Sequence, residues 1–340
     1  MTVQQRATLE DVARLAGVSS KTVSRVFTHR DLVAPDTVDR VLAAAKRLRF
    51  RPNPLARNLR RGGPTNTIGF IMGELNNPFY YKLAAGIERE LSANGFSLVV
   101  ATTDDTAEGE ERVADALLGQ RLGALLLIPV ADDQSYLEGE RHLGTPVIAI
   151  DRPARNLVAD SIVLENHRGV FDATTRLLER GHRRIGYICN PASVYTQAER
   201  LRGYRDALAA YGIDDSSRWE RLADDLAVPA DGFIADLLDQ PDAPTAIITG
   251  NNRVTIGALR VLRDRRDDRT ALIGFDDFDT ADVLGVSVVT YDPIALGRAA
   301  ATLAIERMQD PAGFTRQLEM PTWVVERGTG ERPPEERNHA

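Results

Sequence analysis

Cysteine is almost missing from this 340-residue chain: Cys189 is its only one, so neither an intrachain disulfide nor a cysteine-based zinc cluster can form. Long apolar runs are missing too. The longest, such as Ala124 to Pro129 and Val147 to Ile150, fall far short of the roughly 18 to 20 residues that span a bilayer, so no membrane segment is expected. Met1 to Glu10 is polar where a secretory signal would carry an unbroken apolar stretch, so export is not expected and a cytoplasmic location is. Aromatic residues make up 6% of the chain. Catalytic signatures are also lacking: there is no Gly-x-Gly-x-x-Gly after a strand, no phosphate-cradling Gly-Lys-Ser/Thr loop and no Gly-x-Ser-x-Gly elbow. His29, His142, His167, His182 and His339 show no metal-ligand spacing. No catalytic residue, cofactor or metal site is therefore expected.

What is present is a core-forming composition, 43% hydrophobic and 27% charged, with an uneven charge distribution. Residues 1–63 hold 13 Lys and Arg against 5 Asp and Glu, a balance of +8, which leaves 29 against 44, or −15, in the remainder. One end suits a polyanion and the rest repels one.

The first 50 residues read as helices. Thr8 and Asp11 have the spacing of a capping box, and Leu9, Val12, Ala13 and Ala16 form an apolar stripe that stops at Gly17. A second helix is expected over Ser20 to Phe27 with Val23 and Val26 inward, and a third after Pro35 carrying Val38, Val41, Leu42, Ala45 and Leu48. Residues 51–64 are punctuated by Pro52, Pro54, Gly62, Gly63 and Pro64 around a short helix, Leu55 to Arg61, for which Asn53 is a suitable N-cap. From Thr67 onward about nine short strand-like runs alternate with amphipathic helices, which implies parallel sheets covered on both faces, two sheets rather than one, and a ligand between them at the carboxyl ends of the strands. The expected divisions are 1–50, 51–64, 65–327 and a charged, disordered tail at 328–340.

The most specific signal is Ala13-x-x-x-Gly17-Val18-Ser19-x-x-Thr22-Val23-Ser24-Arg25-Val26. Ala13 lets two helices cross closely, Gly17 supplies the turn, and Val18 and Val23 seal the pair, leaving the second helix free to enter a major groove. This pattern, continued by Pro52-Asn53-x-x-Ala56-Arg57-x-Leu59, resembles the lactose repressor (LacI/GalR) family along nearly the whole chain. The resemblance implies an all-α helix-turn-helix headpiece joined to an α/β periplasmic-binding-protein-like core of two doubly wound parallel-sheet lobes. It also implies a sequence-specific transcriptional regulator, a repressor in the first instance, that binds a palindromic DNA operator as a homodimer and senses a small polar effector.

By that resemblance Ser20, Lys21 and Arg25 read bases while Ser19, Thr22 and Ser24 orient the helix on phosphates. Leu59 is the wedge of a minor-groove hinge helix, Ala56 permits close approach, and Arg57, Arg60 and Arg61 add backbone or groove contacts. Two departures stand out: Thr28 replaces an asparagine, and Arg49-Phe50 replaces Gly-Tyr. In the sensing half the matching positions are Asn77, Phe79, Tyr80, Asp151, Arg200, Asn251, Asp276 and Tyr291, with Asn252 where the family has aspartate. Arg200 flanked by Asp151 and Asp276 suits a polyol, whose hydroxyls donate to carboxylates and accept from guanidinium. A sugar is the first choice of effector. The alternatives are a nucleoside or purine, favoured by the aromatic residues, inter-lobe ion pairs or strand-end caps in place of ligand contacts, and a solute-binding protein without regulatory role. His182 is read as structural.

Overall fold

The computed structural model describes residues 7–50, 65–189, 191–223 and 230–335. The chain divides into two compact units, Met1–Thr65 and Asn66–Ala340. The proposed hinge helix, with Ala56, Arg57, Leu59, Arg60 and Arg61, lies outside the described residues.

The first unit contains three α-helices, α1 (Leu9–Ala16), α2 (Ser20–Thr28) and α3 (Pro35–Arg47). Thr8 caps α1 as its sequence spacing requires: its hydroxyl accepts from the Asp11 amide, and the Asp11 carboxylate accepts from the Thr8 amide at 2.9 Å. Gly17 ends α1 at φ +66°, the left-handed turn that a side chain resists, and the Ser19 hydroxyl starts α2 by accepting from the Thr22 amide. Val12, Val23, Val26, Val38 and Val41 bury their side chains together with Ala13 and Ala16 in one small core.

Both departures from the family pattern have a local account. The Thr28 hydroxyl donates to the Ser24 carbonyl at 3.0 Å, so it is engaged within its own helix. Arg49 adopts φ +51° after α3 while the Phe50 amide bonds back to the Ala45 carbonyl, the helix-ending turn in which glycine is preferred. Phe50 then packs on Phe27 with ring centroids 5.9 Å apart.

The second unit is built on two six-stranded sheets. Its strands are β1 (Thr67–Met72), β2 (Ser97–Thr102), β3 (Ala124–Leu127), β4 (Val147–Ile150), β5 (Asp160–Leu164), β6 (Ile185–Cys189), β7 (Glu220–Leu222), β8 (Ala246–Thr249), β9 (Ala271–Phe275), β10 (Ser287–Thr290), β11 (Gln317–Met320) and β12 (Trp323–Val325). The first sheet has the order β2-β1-β3-β4-β5-β11, all parallel; the second has β7-β6-β8-β9-β10-β12, parallel except for β12. Their helices are α4 (Pro78–Ala93), α5 (Ala107–Leu118), α6 (Glu138–His142), α7 (Asn166–Glu179), α8 (Tyr195–Ala210), α9 (Asp231–Leu238), α10 (Asn252–Asp264) and α11 (Pro293–Gln309).

The central strands are Ile-, Val- and Leu-rich runs buried along their length, as expected where helices cover both faces of a sheet. The chain crosses between the lobes three times, before β6, after β10 and between β11 and β12. Thus α11 returns to the first lobe and packs on α4. That crossing is backbone-close: a Cβ on Gly86 would stand 2.3 Å from the Ile294 carbonyl oxygen, and one on Gly297 2.3 Å from that of Leu83.

The short strands β7, β11 and β12 were absent from the expected set because they are edge strands with few buried side chains. The expected tail beginning at Gly328 is corrected over its first residues. Thr329 is buried, exchanges backbone and hydroxyl hydrogen bonds with Leu272, and donates its amide to the Gly285 carbonyl. The Arg332 carbonyl stands 2.9 Å from His182 Nε2, while Thr245 Oγ1 stands 2.8 Å from Nδ1. Hydrogen bonds rather than apolar burial hold this segment, which is why composition read it as unstructured. His182 itself is wholly buried, and burial lowers its pKa.

Candidate functional site

In the headpiece, Ser19, Ser20, Lys21 and Arg25 are exposed and Thr22 and Ser24 half-buried at and beyond the start of α2. The Ser19 hydroxyl, which caps the helix by accepting from the Thr22 amide, lies 2.9 Å from the Thr22 hydroxyl. Val23 and Val26 turn inward between them. The helix therefore presents a polar, basic face held by an apolar one.

In the second unit a cleft of about 100 Å³ is lined by Asn77, Phe79, Tyr80, Asp151, Arg200, Asn251, Asp276 and Tyr291, all eight of the residues expected from sequence. Their positions follow from the topology. Asn77 caps α4 after β1, its side chain accepting from the Phe79 amide at 3.1 Å, and Asn251 caps α10 after β8, accepting from the Val254 amide at 3.0 Å. Asp151 follows β4 and Asp276 follows β9, at φ +70° and +69°. Aspartate tolerates this left-handed conformation better than most residues, and each amide is tied to a neighbouring strand: Asp151 to the Ile162 carbonyl, Asp276 to that of Val289. The same local device thus ends corresponding strands of both lobes in a carboxylate at the cleft.

Arg200 is the centre of the second lobe's contribution. It is 4% exposed, donates from Nε to Asn166 Oδ1 at 2.7 Å and from Nη1 to the Gly250 carbonyl at 2.6 Å, and lies 3.6 Å from the centre of the Phe275 ring. Its Nη1 is 3.9 Å from Asp276 Oδ2, an ion pair without a tight hydrogen bond. The other Asp276 oxygen accepts from the Tyr291 hydroxyl at 2.9 Å. Burial raises the Asp276 pKa, an effect that Arg200 and the Tyr291 hydrogen bond partly oppose. Burial and the adjacent Asp276 raise that of the Tyr291 phenol. Nearby, burial pushes the Cys189 thiol up to about 12, so it is protonated at neutral pH and a poor nucleophile.

The lobes also touch beside the cleft. Asn252 Nδ2 donates to Asn77 Oδ1 at 3.0 Å, Lys82 and Tyr81 both reach Asp279 at 2.7 and 2.8 Å, Arg253 pairs with Glu74, and Arg155 donates to the Ser193 carbonyl at 3.1 Å. These contacts join the two lobes directly, and one of them engages Asn77, a residue assigned to the effector. Sequence reasoning missed Glu74, Asp105, Arg152, Val194, Thr196, Gln197 and Arg253 in the cleft lining. Thr196 and Gln197 stand four and three residues before Arg200 on α8, and that helical spacing is the signal that places them on its face.

Residues 8–53 match the family described as bacterial regulatory proteins, lacI family, and residues 65–313 match periplasmic binding proteins and sugar binding domain of LacI family. The chain is 31% identical over 329 residues to the ribose operon repressor of Escherichia coli (strain K12), covering 95% of this chain and 99% of that protein. It is 32% identical over 341 residues to the HTH-type transcriptional regulator CelR of Thermobifida fusca, covering 96% and 99%. Among solved structures, the lac repressor dimer bound to operator and the anti-inducer ONPF superposes with a TM-score of 0.84 at 26% identity, covering 96% of this chain and 99% of that one. No helix among the described residues is long and apolar enough to cross a membrane. The chain belongs to the LacI family of DNA-binding transcriptional regulators.

Proposed function

We propose that this regulator is a cytoplasmic repressor whose core senses a neutral monosaccharide, with D-ribose the first compound to test. The observation that carries the reading is the pairing of buried Arg200 with Asp276 across the cleft from Asp151. Carboxylates accept hydroxyl protons and the guanidinium donates to hydroxyl oxygens, so a polyol meets both. Charge narrows the class. Glu74, Asp105, Asp151 and Asp276 line the cleft against Arg152, Arg200 and Arg253, a balance of −1 that disfavours a phosphate dianion. The ribose operon repressor is a relative whose name agrees with this constraint.

A second reading, a purine or nucleoside, is favoured by the Phe79 ring in the cleft lining and by PurR repressors among the relatives. On either reading the cleft binds its ligand without turnover, in keeping with relatives named as regulators. Domain roles follow: residues 1–50 read the operator, 51–64 form the hinge, and the two-lobed core senses and dimerises. In the headpiece, Ser20, Lys21 and Arg25 are assigned to bases and Ser19, Thr22 and Ser24 to phosphates. Ala56, Arg57, Leu59 and Arg60 keep the hinge contacts that the resemblance implies. Isothermal titration of the full chain with D-ribose, ribose 5-phosphate, adenine and guanine tests the effector class. Binding of the neutral sugar alone supports it; binding of a purine or of the phosphate ester in its place refutes it.

A further inference from the structure

We propose that Arg152 and Gln197 are specificity-determining residues that read the effector's hydroxyl pattern, one from each lobe. The inference rests on the sugar reading above and deepens it. Among the described residues, five buried side-chain polar atoms have no hydrogen-bond partner: Arg152 Nε, Thr175 Oγ1, Tyr187 Oη, Gln197 Oε1 and Asn252 Oδ1. Buried polar atoms are nearly always paired, so each orphan needs a reason. Two of the five, Arg152 Nε and Gln197 Oε1, belong to side chains that line the effector cleft.

Each of these two atoms has one chemical requirement. Gln197 is 5% exposed, and its amide nitrogen donates to the Gly250 carbonyl at 3.5 Å, leaving Oε1 as an acceptor in need of a donor. Arg152 Nε stands 3.6 Å from Asp151 Oδ2, beyond a hydrogen bond, and remains a donor in need of an acceptor. Arg152 follows β4 in the first lobe, and Gln197 lies on α8 in the second.

A ligand that completes the cleft must therefore offer a donor to one lobe and an acceptor to the other. Hydroxyl groups supply both. A phosphate or carboxylate supplies only acceptors: it meets Arg152, leaves Gln197 unpaired, and faces Asp151 and Asp276 across the same space. The two residues thus select for hydroxyl number and position, beyond the general polyol match made by Arg200.

Isothermal titration of the full chain with D-ribose and its monodeoxy analogues tests this, using wild type, Gln197→Leu and Arg152→Gln. Gln197→Leu is expected to weaken D-ribose at least 10-fold. One monodeoxy analogue should lose affinity for wild type yet suffer no further loss in that variant. Arg152→Gln should show the same non-additivity with an analogue of its own, which keeps the proposal testable if one variant fails to fold. Unchanged D-ribose affinity in both variants, or fully additive losses for every analogue, would overturn the assignment while leaving the sugar reading intact. If wild type binds none of ribose, arabinose, xylose, glucose or galactose, the sugar reading itself fails, and this inference with it.

Discussion

Replacing Asp276 by asparagine nearly preserves the side chain's volume and removes its charge. Two consequences with different magnitudes follow. In the unliganded protein the carboxylate loses its attraction to Arg200 Nη1 at 3.9 Å, about 4 kcal/mol at an effective dielectric constant of about 20. Against this stands the desolvation penalty of a buried carboxylate, several kcal/mol in its own right and the cause of the raised Asp276 pKa. Arg200 retains Asn166 and the Gly250 carbonyl, and the asparagine carbonyl can still accept from Tyr291, so the net change in stability is expected to stay within about 1 kcal/mol.

Effector binding has no such compensation. Losing one hydrogen bond to a charged group costs about 1.5 to 3 kcal/mol, or roughly 10- to 150-fold in Kd. The pH dependence adds a second signature. Because the folded-state pKa of Asp276 lies above its unfolded value, this group makes the unliganded protein relatively more stable as pH falls through the folded pKa. Effector affinity falls over the same interval, because the proton displaces an acceptor. Calorimetric titration with D-ribose across pH, paired with thermal melts, measures both. Asp276→Asn should bind weakly and lose the pH dependence of affinity that Asp276 contributes. Wild-type affinity in the variant would show that Asp276 does not touch the effector, and a loss of more than about 3 kcal/mol of stability would make it a structural partner of Arg200 instead.

Three further outcomes are expected. Arg25→Ala should cost about 1 to 3 kcal/mol of operator affinity and relax base preference at one position, as read by anisotropy against single-base operator variants; equal weakening on all sequences would assign Arg25 to a phosphate. Arg49→Gly relieves a left-handed residue at the end of α3 and should stabilise the headpiece by about 0.5 to 1 kcal/mol in chemical unfolding, whereas destabilisation would mean that the Arg49 side chain holds a contact worth more than its strain. His182 has a folded pKa below its unfolded value, so its contribution to stability is complete above about pH 6.5 and is lost as pH falls below that value. Melts of wild type from pH 7.5 to 5.5 should therefore decline more steeply than those of His182→Gln, and parallel curves would contradict the buried neutral imidazole.

Much of this was legible in the sequence because each readable feature is a local rule. The Thr8–Asp11 capping box, the Gly17 turn and the buried apolar strands each follow from a few neighbouring residues, whereas the eight cleft residues were located by the family resemblance, seven of them at strand ends or helix starts and Arg200 in the second turn of α8. The missed features are collective. β7, β11 and β12 exist because a neighbouring strand offers them hydrogen bonds, and Thr329 is held by Leu272 and Gly285, far away in sequence. Arg152 stands out only through an unpaired atom, which a sequence does not display, and the spacing that puts Gln197 on the face of Arg200 does not reveal its unpaired carbonyl oxygen. The left-handed Arg49 has the opposite character: its position before Phe50 was visible as a departure, and its backbone conformation explains why glycine belongs there.

Operator affinity with and without effector is the most direct measurement. A duplex selected from random DNA by the full chain is titrated with the protein, with and without saturating D-ribose, beside an unrelated duplex at equal ionic strength. Coupled sites require the selected duplex to bind tighter than the unrelated one and its affinity to shift about 5-fold or more with the sugar, in either direction. Equal binding to both duplexes, or a sugar that occupies the cleft and leaves the selected duplex's affinity unmoved, would contradict a headpiece and a sensing core that act as one regulator.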